Sequence, residues 1–503
     1  MWWTARASVT TLSCVGQTYH GQRLPGAVTA RLSYRIKSSY IFCDRSVVMS
    51  DAFLSRLPTE LNILTDTASL TRYSTDASGL CAGTPLLVAR PTTVAQVTAL
   101  VTLCARENRK ITIAGGGSGL AGGAVPDDGD VVLSLELLNQ IEEIDEAGGT
   151  ALVQAGVVLE TLCAAVEEKG WYFPLDLGAR GSCQIGGNVA TNAGGNRVLR
   201  YGTTRQLVLG LEVVLPDGTI MTMLDRTLKN NTGLDLKQLF IGTEGTLGII
   251  TRVVVRLFPR PQTRRSALVG LASFAQIAPL LKAARSALPE LSSFEVMWDN
   301  YVAAAAGAKG KPVPFDGAWP LMVLLETEGA DTPMFHAGFD AFLESILESE
   351  TVQDAIVPQS LEQSADLWAI RDAIGALFPS LRPFVAFDIG IPLKDMEAFI
   401  EQTMTELNAR WPYAGNLLFG HLGDGNLHLT TGHLHEADIV PVEEAVYALT
   451  SRFNGSISAE HGIGRLKKPF LHYSRDDTQR QVMQRIRQAL NPQALVNAAR
   501  IID

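Results

Sequence analysis

The chain has 503 residues and a formal net charge of −10, with 46% hydrophobic and 19% charged residues. That length allows two or three domains, and the apolar fraction supports a packed core rather than a disordered chain. The acid excess argues against a nucleic-acid binder, whose surface must answer phosphates with basic residues, although a small anion can still sit in a local basic pocket.

Six cysteines, Cys14, Cys43, Cys81, Cys104, Cys163 and Cys183, are scattered without a C-x-x-C pair, which suits a reducing cytosol. No apolar run is long enough to span a bilayer, so any contact with an inner membrane is expected to be peripheral. Residues 1–48 carry Arg6, Arg23, Arg31, Arg35, Lys37 and Arg45 against one acid, Asp44. Such a stretch reads either as a mitochondrial transit peptide or as an extension upstream of a start at Met49. The second reading is preferred, because "MSDAFLSRL" opens like a cytosolic protein with an amphipathic helix, and it makes the expected location cytoplasmic.

In chain order, residues 85–105 read as a strand, a Pro-marked turn and a helix with Val94, Val97, Leu100, Val101 and Cys104 at helical spacing. Strands are expected at 110–114 and 130–138. A hairpin is expected over 210–223, turning at Pro216-Asp217-Gly218. A strand-like run over 247–261 ends at prolines. Beyond Pro261, Ala- and Leu-rich helices alternate with strands at 321–329 and 385–393. Ser360-x-x-Gln363 opens a helix with a capping-box pattern, expected to stop before Pro379, and one long helix closes the chain.

Three stretches are dense in glycine: 111–126, 178–205 and 240–250. The first contains G-x-G-x-x-G at Gly117, Gly119 and Gly122, but Pro126, Asp127, Asp128 and Gly129 follow where a dinucleotide fingerprint needs a helix. The Rossmann context is therefore missing, while the physical purpose of such loops, close backbone approach to phosphate with free N–H donors, remains.

The C-terminal half holds "GHLGDGNLHL" (420–429) and "SAEHGIGRLKK" (458–468). His421 and His428 are seven apart, which on a straight strand would put them on opposite faces, but the Gly423-Asp424-Gly425 turn can bring both imidazoles to one point. Two histidines and a carboxylate suit zinc or a related divalent ion with open positions for substrate. Glu460 is the first candidate for the carboxylate and Asp424 the second, as a partner to a ligand. His433 and His435 read as surface residues. Arg371 shares a helix face with Leu367 and Trp368. It suits a carboxylate clamp or, equally, a solvated arginine paired with Asp372 or Glu362.

The glycine loops resemble the FAD-binding domain of the vanillyl-alcohol oxidase and p-cresol methylhydroxylase superfamily. The two C-terminal motifs resemble the cap of the FAD-linked D-2-hydroxy acid dehydrogenases, and together the resemblance covers about residues 55–503. It implies an α+β fold: a two-subdomain FAD-binding domain over 50–262, a cap with an antiparallel sheet over 263–470, and a helical segment, 471–503, returning to the FAD domain. It implies non-covalent FAD held by Gly115, Gly116, Gly117, Ser118 and Gly119 at the pyrophosphate. Further FAD contacts are implied from Gly181, Ser182, Gly186, Gly187, Asn188, Thr191, Asn192, Gly194, Gly195, Tyr201 and Gly202, and from Glu244, Gly248 and Ile249. It implies His421, His428 and Glu460 as ligands of a divalent metal such as zinc, Arg371 on the substrate carboxylate and His461 as base. The implied partners are a small 2-hydroxy acid and an electron acceptor, either a quinone, an electron-transfer flavoprotein or a cytochrome, with a homodimer as one assembly.

Relatives that oxidise D-2-hydroxyglutarate carry Thr, Lys and Asn where this chain has Gly375, Ala386 and Thr430, which weighs against a dicarboxylate unless Arg382 or Lys394 substitutes. D-Lactate therefore stands beside D-2-hydroxyglutarate as substrate. The competing activity is a non-redox FAD-dependent transferase of the same fold, which has no need of the metal residues.

Overall fold

A computed structural model describes residues 51–503; the basic leader and Met49 lie outside the described residues. The expected opening helix amounts to one turn, Asp51–Leu54.

Three larger sheets and one two-stranded pair, Trp171–Tyr172 with Phe258–Pro259, organise the described residues. The first has four strands in the order Asn62–Leu64, Leu87–Arg90, Val131–Ser134, Ile111–Ala114, the last three parallel. The helix Val94–Arg106 makes the crossover and buries Val97, Leu100, Val101 and Cys104 on one face, the spacing that its sequence carries. Thr93 caps it, accepting the Gln96 N–H. The second sheet is antiparallel, in the order Ile141–Asp145, Thr150–Gln154, Ile249–Arg256, Val208–Val214, Ile220–Met223. Its last two strands are the expected hairpin. These two sheets share one hydrophobic core drawn from residues 53–257, joined by Leu495 and Val496.

The third sheet has seven antiparallel strands, in the order Asp354–Ile356, Thr263–Leu271, Leu321–Gly329, Leu291–Trp298, Gly415–Gly420, Asn426–Gly432, Val385–Gly390. Alternate residues face opposite ways along each strand. Val269, Val296, Val323 and Leu418 pack under the helices Ile277–Ala287, Pro333–Glu348, Leu393–Arg410 and Ile439–Arg452. Leu268, Met297, Leu324 and Phe419 face the helices Asp299–Lys309, Leu361–Arg371 and Ile374–Leu381. Both faces are covered, which explains why apolar residues occur on both sides of these strands. The second face is interrupted by acids, Glu295, Glu326, Glu328 and Asp388, all buried.

Two helix ends differ from expectation. The helix opened by Ser360 ends at Arg371, and a second one, Ile374–Leu381, runs through Pro379. After the restart Pro379 falls near that helix's end, where its missing N–H costs at most one bond. The closing helix, Asp477–Leu490, stops before Pro492. The remaining segment leaves it as irregular chain and pairs with the first sheet, the Ile111 N–H donating to Leu495 O at 2.8 Å and the Asn497 N–H to Ile111 O at 2.9 Å.

Leu495 is 1% exposed within the first core. Leu495→Ala is expected to cost about 2–5 kcal/mol in chemical unfolding. A cost near zero would mean that the returning segment adds nothing to that core.

Candidate active site

The glycine loop 115–119 lies between the first sheet and the turn before the helix Ile185–Thr191. Among the described residues the amides of Gly116, Gly117, Ser118 and Gly119 donate to no protein group. A Cβ on Gly116 would overlap the Ser182 carbonyl, so only glycine permits this approach. Gly115, Gly116, Gly117, Ser182 and Gln184 line a cleft of about 260 Å³ together with Arg72, Tyr73 and Glu136. Uncommitted amides beside a cleft fit the pyrophosphate of a dinucleotide. Gly186 and Asn188 are buried in the short helix beyond, and Asn192 ends it with a φ of 52°, its side chain accepting from Thr203 and from the Arg205 N–H.

Other residues expected at the cofactor lie apart from that cleft. Gly248 and Ile249 are inside the first core, where a Cβ on Gly248 would stand 2.6 Å from Val213. The Tyr201 ring packs edge-on against Phe258 and Tyr172. The Glu244 carboxylate is committed elsewhere: Oε1 accepts the Ile463 N–H at 2.6 Å and Oε2 the Gly464 N–H at 2.8 Å.

The second centre forms at one edge of the seven-stranded sheet. His421 follows the strand Gly415–Gly420, and His428 lies in the next strand opposite Phe419 and Asp388. The intervening turn brings the two rings to 5.3 Å, nearly perpendicular. Glu460 arrives from the loop after the helix Ile439–Arg452, and one donor atom each from His421, His428 and Glu460 lies within 4.8 Å of the others. Two imidazoles and a carboxylate converging this closely fit a divalent ion.

Three buried groups surround these donors, two of them acids that the motifs did not reveal. Glu295 Oε1 sits 2.8 Å from His421 Nδ1, and its Oε2 accepts from Arg371 Nε at 2.8 Å. Burial pushes this carboxyl up, but Arg371 and His421 outweigh it and draw its pKa down to about 2. Burial opposes a charge on His421 and Glu295 favours one, the latter prevailing. Arg371 Nη2 stands 2.9 Å from Nε2 and 2.7 Å from Glu295 Oε2. The same Nη2 is 3.2 Å from Nδ1, so the guanidinium lies beside both ring nitrogens of His421.

Asp388 is the second group. Its Oδ2 accepts the N–H of Glu460 at 2.8 Å and of His461 at 3.1 Å. His428 Nδ1 is 3.6 Å from Oδ1 and His461 Nδ1 3.6 Å from Oδ2. Burial raises the Asp388 pKa, but His461, Lys467 and His428 hold it well below the carboxylate range. Burial likewise drives His428 well below its ordinary value, so that the ring is neutral. The third group is Lys467, whose pKa burial lowers and whose Nζ donates to Ser458 Oγ at 3.1 Å.

Asp424 is exposed on the turn, where its Oδ1 accepts the Asn426 N–H at 3.2 Å, and Glu295 stands beside His421 as well. Arg371 is 6% exposed, which rules out the solvated reading. It does contact Asp372, at 3.1 Å, while facing His421. His433 and His435 are exposed. The one signal for Glu295 and Asp388 is an acid inside an apolar strand run, "SSFEVMW" and "VAFDIGIPL", where only a charged partner makes burial affordable.

Residues 85–224 match the FAD binding domain family, and residues 260–501 match the family described as FAD linked oxidases, C-terminal domain. The chain is 38% identical over 444 residues to mitochondrial D-2-hydroxyglutarate dehydrogenase of Bos taurus, covering 88% of this chain and 81% of that one. It is 36% identical over 450 residues to D-2-hydroxyglutarate dehydrogenase of Xanthomonas citri pv. viticola, covering 88% and 94%. A Schizosaccharomyces pombe protein provisionally named a mitochondrial D-lactate dehydrogenase is 37% identical over 444 residues, covering 86% and 84%.

The chain belongs to the FAD-linked D-2-hydroxy acid dehydrogenase family. The fold agrees: p-cresol methylhydroxylase superposes with a TM-score of 0.71 at 17% identity, covering 90% of this chain and 96% of that one. Alkyldihydroxyacetonephosphate synthase superposes with 0.70 at 16%, covering 90% and 86%. This family member is a flavin-linked oxidoreductase, and the described residues contain no helix long and apolar enough to cross a membrane.

Glu295→Gln keeps the side chain's size and removes the charge facing His421 and Arg371. Zinc affinity is expected to fall about 10–100-fold in a chelator competition assay; unchanged affinity would separate Glu295 from metal binding.

Proposed function

We propose that the protein oxidises a D-2-hydroxy acid to the 2-oxo acid at the cluster of His421, His428 and Glu460, with Arg371 and His461 beside it. The convergence of three donor atoms within 4.8 Å carries this reading. FAD at the glycine loops supplies the hydride acceptor, and a divalent ion, zinc by the preference of such a donor set, supplies Lewis acidity toward the 2-hydroxyl. Arg371 borders the donor cluster through its contact with His421 and is placed for the substrate carboxylate. His461, with a side chain 36% exposed, has Nδ1 toward Asp388 and is left to take the hydroxyl proton at Nε2. Asp388 lies beside the ring, 3.6 Å from Nδ1. The FAD-binding half is assigned to 50–262, the cap to 263–470 and the returning segment to 471–503. A quinone, an electron-transfer flavoprotein or a cytochrome reoxidises the flavin.

A side chain of modest size and no charge suits the substrate best. On the face that carries Asp388 and His428, the next rung is Ala386 opposite Thr430, with Leu417 beyond. No cation stands on that rung. Lys394 has its side chain 83% exposed and Arg382 is also exposed, so neither replaces one. This favours D-lactate over D-2-hydroxyglutarate. A non-redox transferase leaves the three-donor cluster without a purpose and has only the likeness of fold in its favour.

Anaerobic flavin absorbance of the metal-loaded protein decides between these. D-Lactate is expected to bleach the flavin more efficiently than D-2-hydroxyglutarate, D-malate or glycolate, and L-isomers not at all. Preference for D-2-hydroxyglutarate would overturn the side-chain assignment, and no bleaching by any acid would overturn the activity. His461→Ala is expected to slow reduction by about 10²–10⁴-fold with FAD and metal retained.

A further inference from the structure

The loop 459–466, which carries Glu460 and His461, is gripped from both sides. From the cap, Asp388 accepts the N–H groups of Glu460 and His461, and the Asp388 carbonyl accepts that of Ala459 at 3.0 Å. From the FAD-binding half, the Gly195 N–H donates to Glu460 Oε1 at 2.9 Å. The Ala121 carbonyl, beside the first glycine loop, accepts from Arg465 at 2.9 Å and Leu466 at 3.2 Å.

Between these contacts stands Glu244, 8% exposed, its two oxygens taking the N–H groups of Ile463 and Gly464. A Cβ on Gly462 would stand 2.7 Å from Glu244 Oε1, so the loop is pressed onto the carboxylate. The Glu244 backbone is tied as firmly. Its N–H donates to Ala190 O in the helix Ile185–Thr191, at 2.8 Å, and its carbonyl accepts from Asn497 Nδ2 at 2.6 Å. It holds a φ of 52°, which is costly for a residue with a side chain.

A buried carboxyl group that accepts two amides from another segment fixes that segment's position, and these amides lie two and three residues after His461. We propose that Glu244 is a positioning residue of the reaction, registering the loop that carries Glu460 and His461 against the flavin-binding half. It rests on the roles given above to Glu460 and His461. It also reassigns Glu244, expected from sequence at the cofactor, to the reacting side.

The test is Glu244→Gln in the full-length protein, read three ways: FAD per chain, hydrogen–deuterium exchange of peptides spanning 459–466 without metal or substrate, and the anaerobic flavin reduction rate per bound FAD with D-lactate, or with D-2-hydroxyglutarate if that acid bleaches the wild type better. A flavin content like the wild type, faster exchange at 461–466 and a reduction rate lowered about 10–100-fold are expected, since small misplacements of reacting groups cost that much. Loss of FAD with a wild-type rate in the loaded fraction would make Glu244 a cofactor residue and overturn the proposal, as would unchanged exchange and rate. Should Glu244→Gln fail to accumulate, Glu244→Asp, whose shorter arm cannot serve both amides, is judged by the same readouts. If the wild type itself is not bleached, the assigned activity fails, while exchange at 461–466 still decides the role of Glu244.

Discussion

Asp388 is the constraint around which the site is built. It is 1% exposed on an edge strand of the seven-stranded sheet. An isolated carboxylate there would be prohibitively costly; positive ends offset that cost at Oδ2, while Oδ1 has no hydrogen-bond partner among the described residues. Two amides of the Glu460 loop point at one oxygen, His428 and His461 flank it, and Lys467 adds a buried cation to its surroundings. One carboxylate thereby orients a metal-ligand candidate, the proposed base and the backbone of a second ligand. Losing the carboxylate would free the amides of Glu460 and His461, leaving the Ala459 N–H to the Asp388 carbonyl as the nearest cap-side tie.

The same logic recurs at two more buried carboxylates. Glu295 ties His421 to Arg371, so that one acid holds both the imidazole of a ligand candidate and the guanidinium. Glu326 receives Arg197 of the glycine-rich segment at 2.5 Å and Trp368 Nε1 at 2.8 Å. Arg197 also donates to Ser293 at 2.9 Å. These acids occupy the sheet face that elsewhere packs against apolar helices. That face therefore changes from hydrophobic packing to ion pairing where the flavin-binding half meets it, which confers geometric specificity more than stability.

The sequence made much of this visible. The hairpin at 210–223, the crossover helix after Thr93 and the strand at 321–329 lie where periodicity and turn residues place them. Helix ends were less legible. Pro379 is a strong local stop signal, yet the chain had already broken and restarted, and the closing helix yields to Pro492 because its last residues gain more by joining the first core. His421, His428 and Glu460 stood out because glycine-rich turns around histidines and acids are uncommon in packed sequence.

What the chain alone determined is therefore its donor groups and the kind of loops that carry them: amide-rich glycine turns for a phosphate-bearing cofactor, and two imidazoles with an acid for a cation. Residue type and short spacing suffice for that, because they set which atoms are available and how tightly the backbone can turn. The tertiary structure decided the partners. Glu295 lies 126 residues from His421, Asp388 lies 72 from Glu460, and Glu244 lies 219 from Ile463. Sheet register and the meeting of the two halves bring them together, and a buried acid in a strand carries no local mark of the cation or amide that will neutralise it.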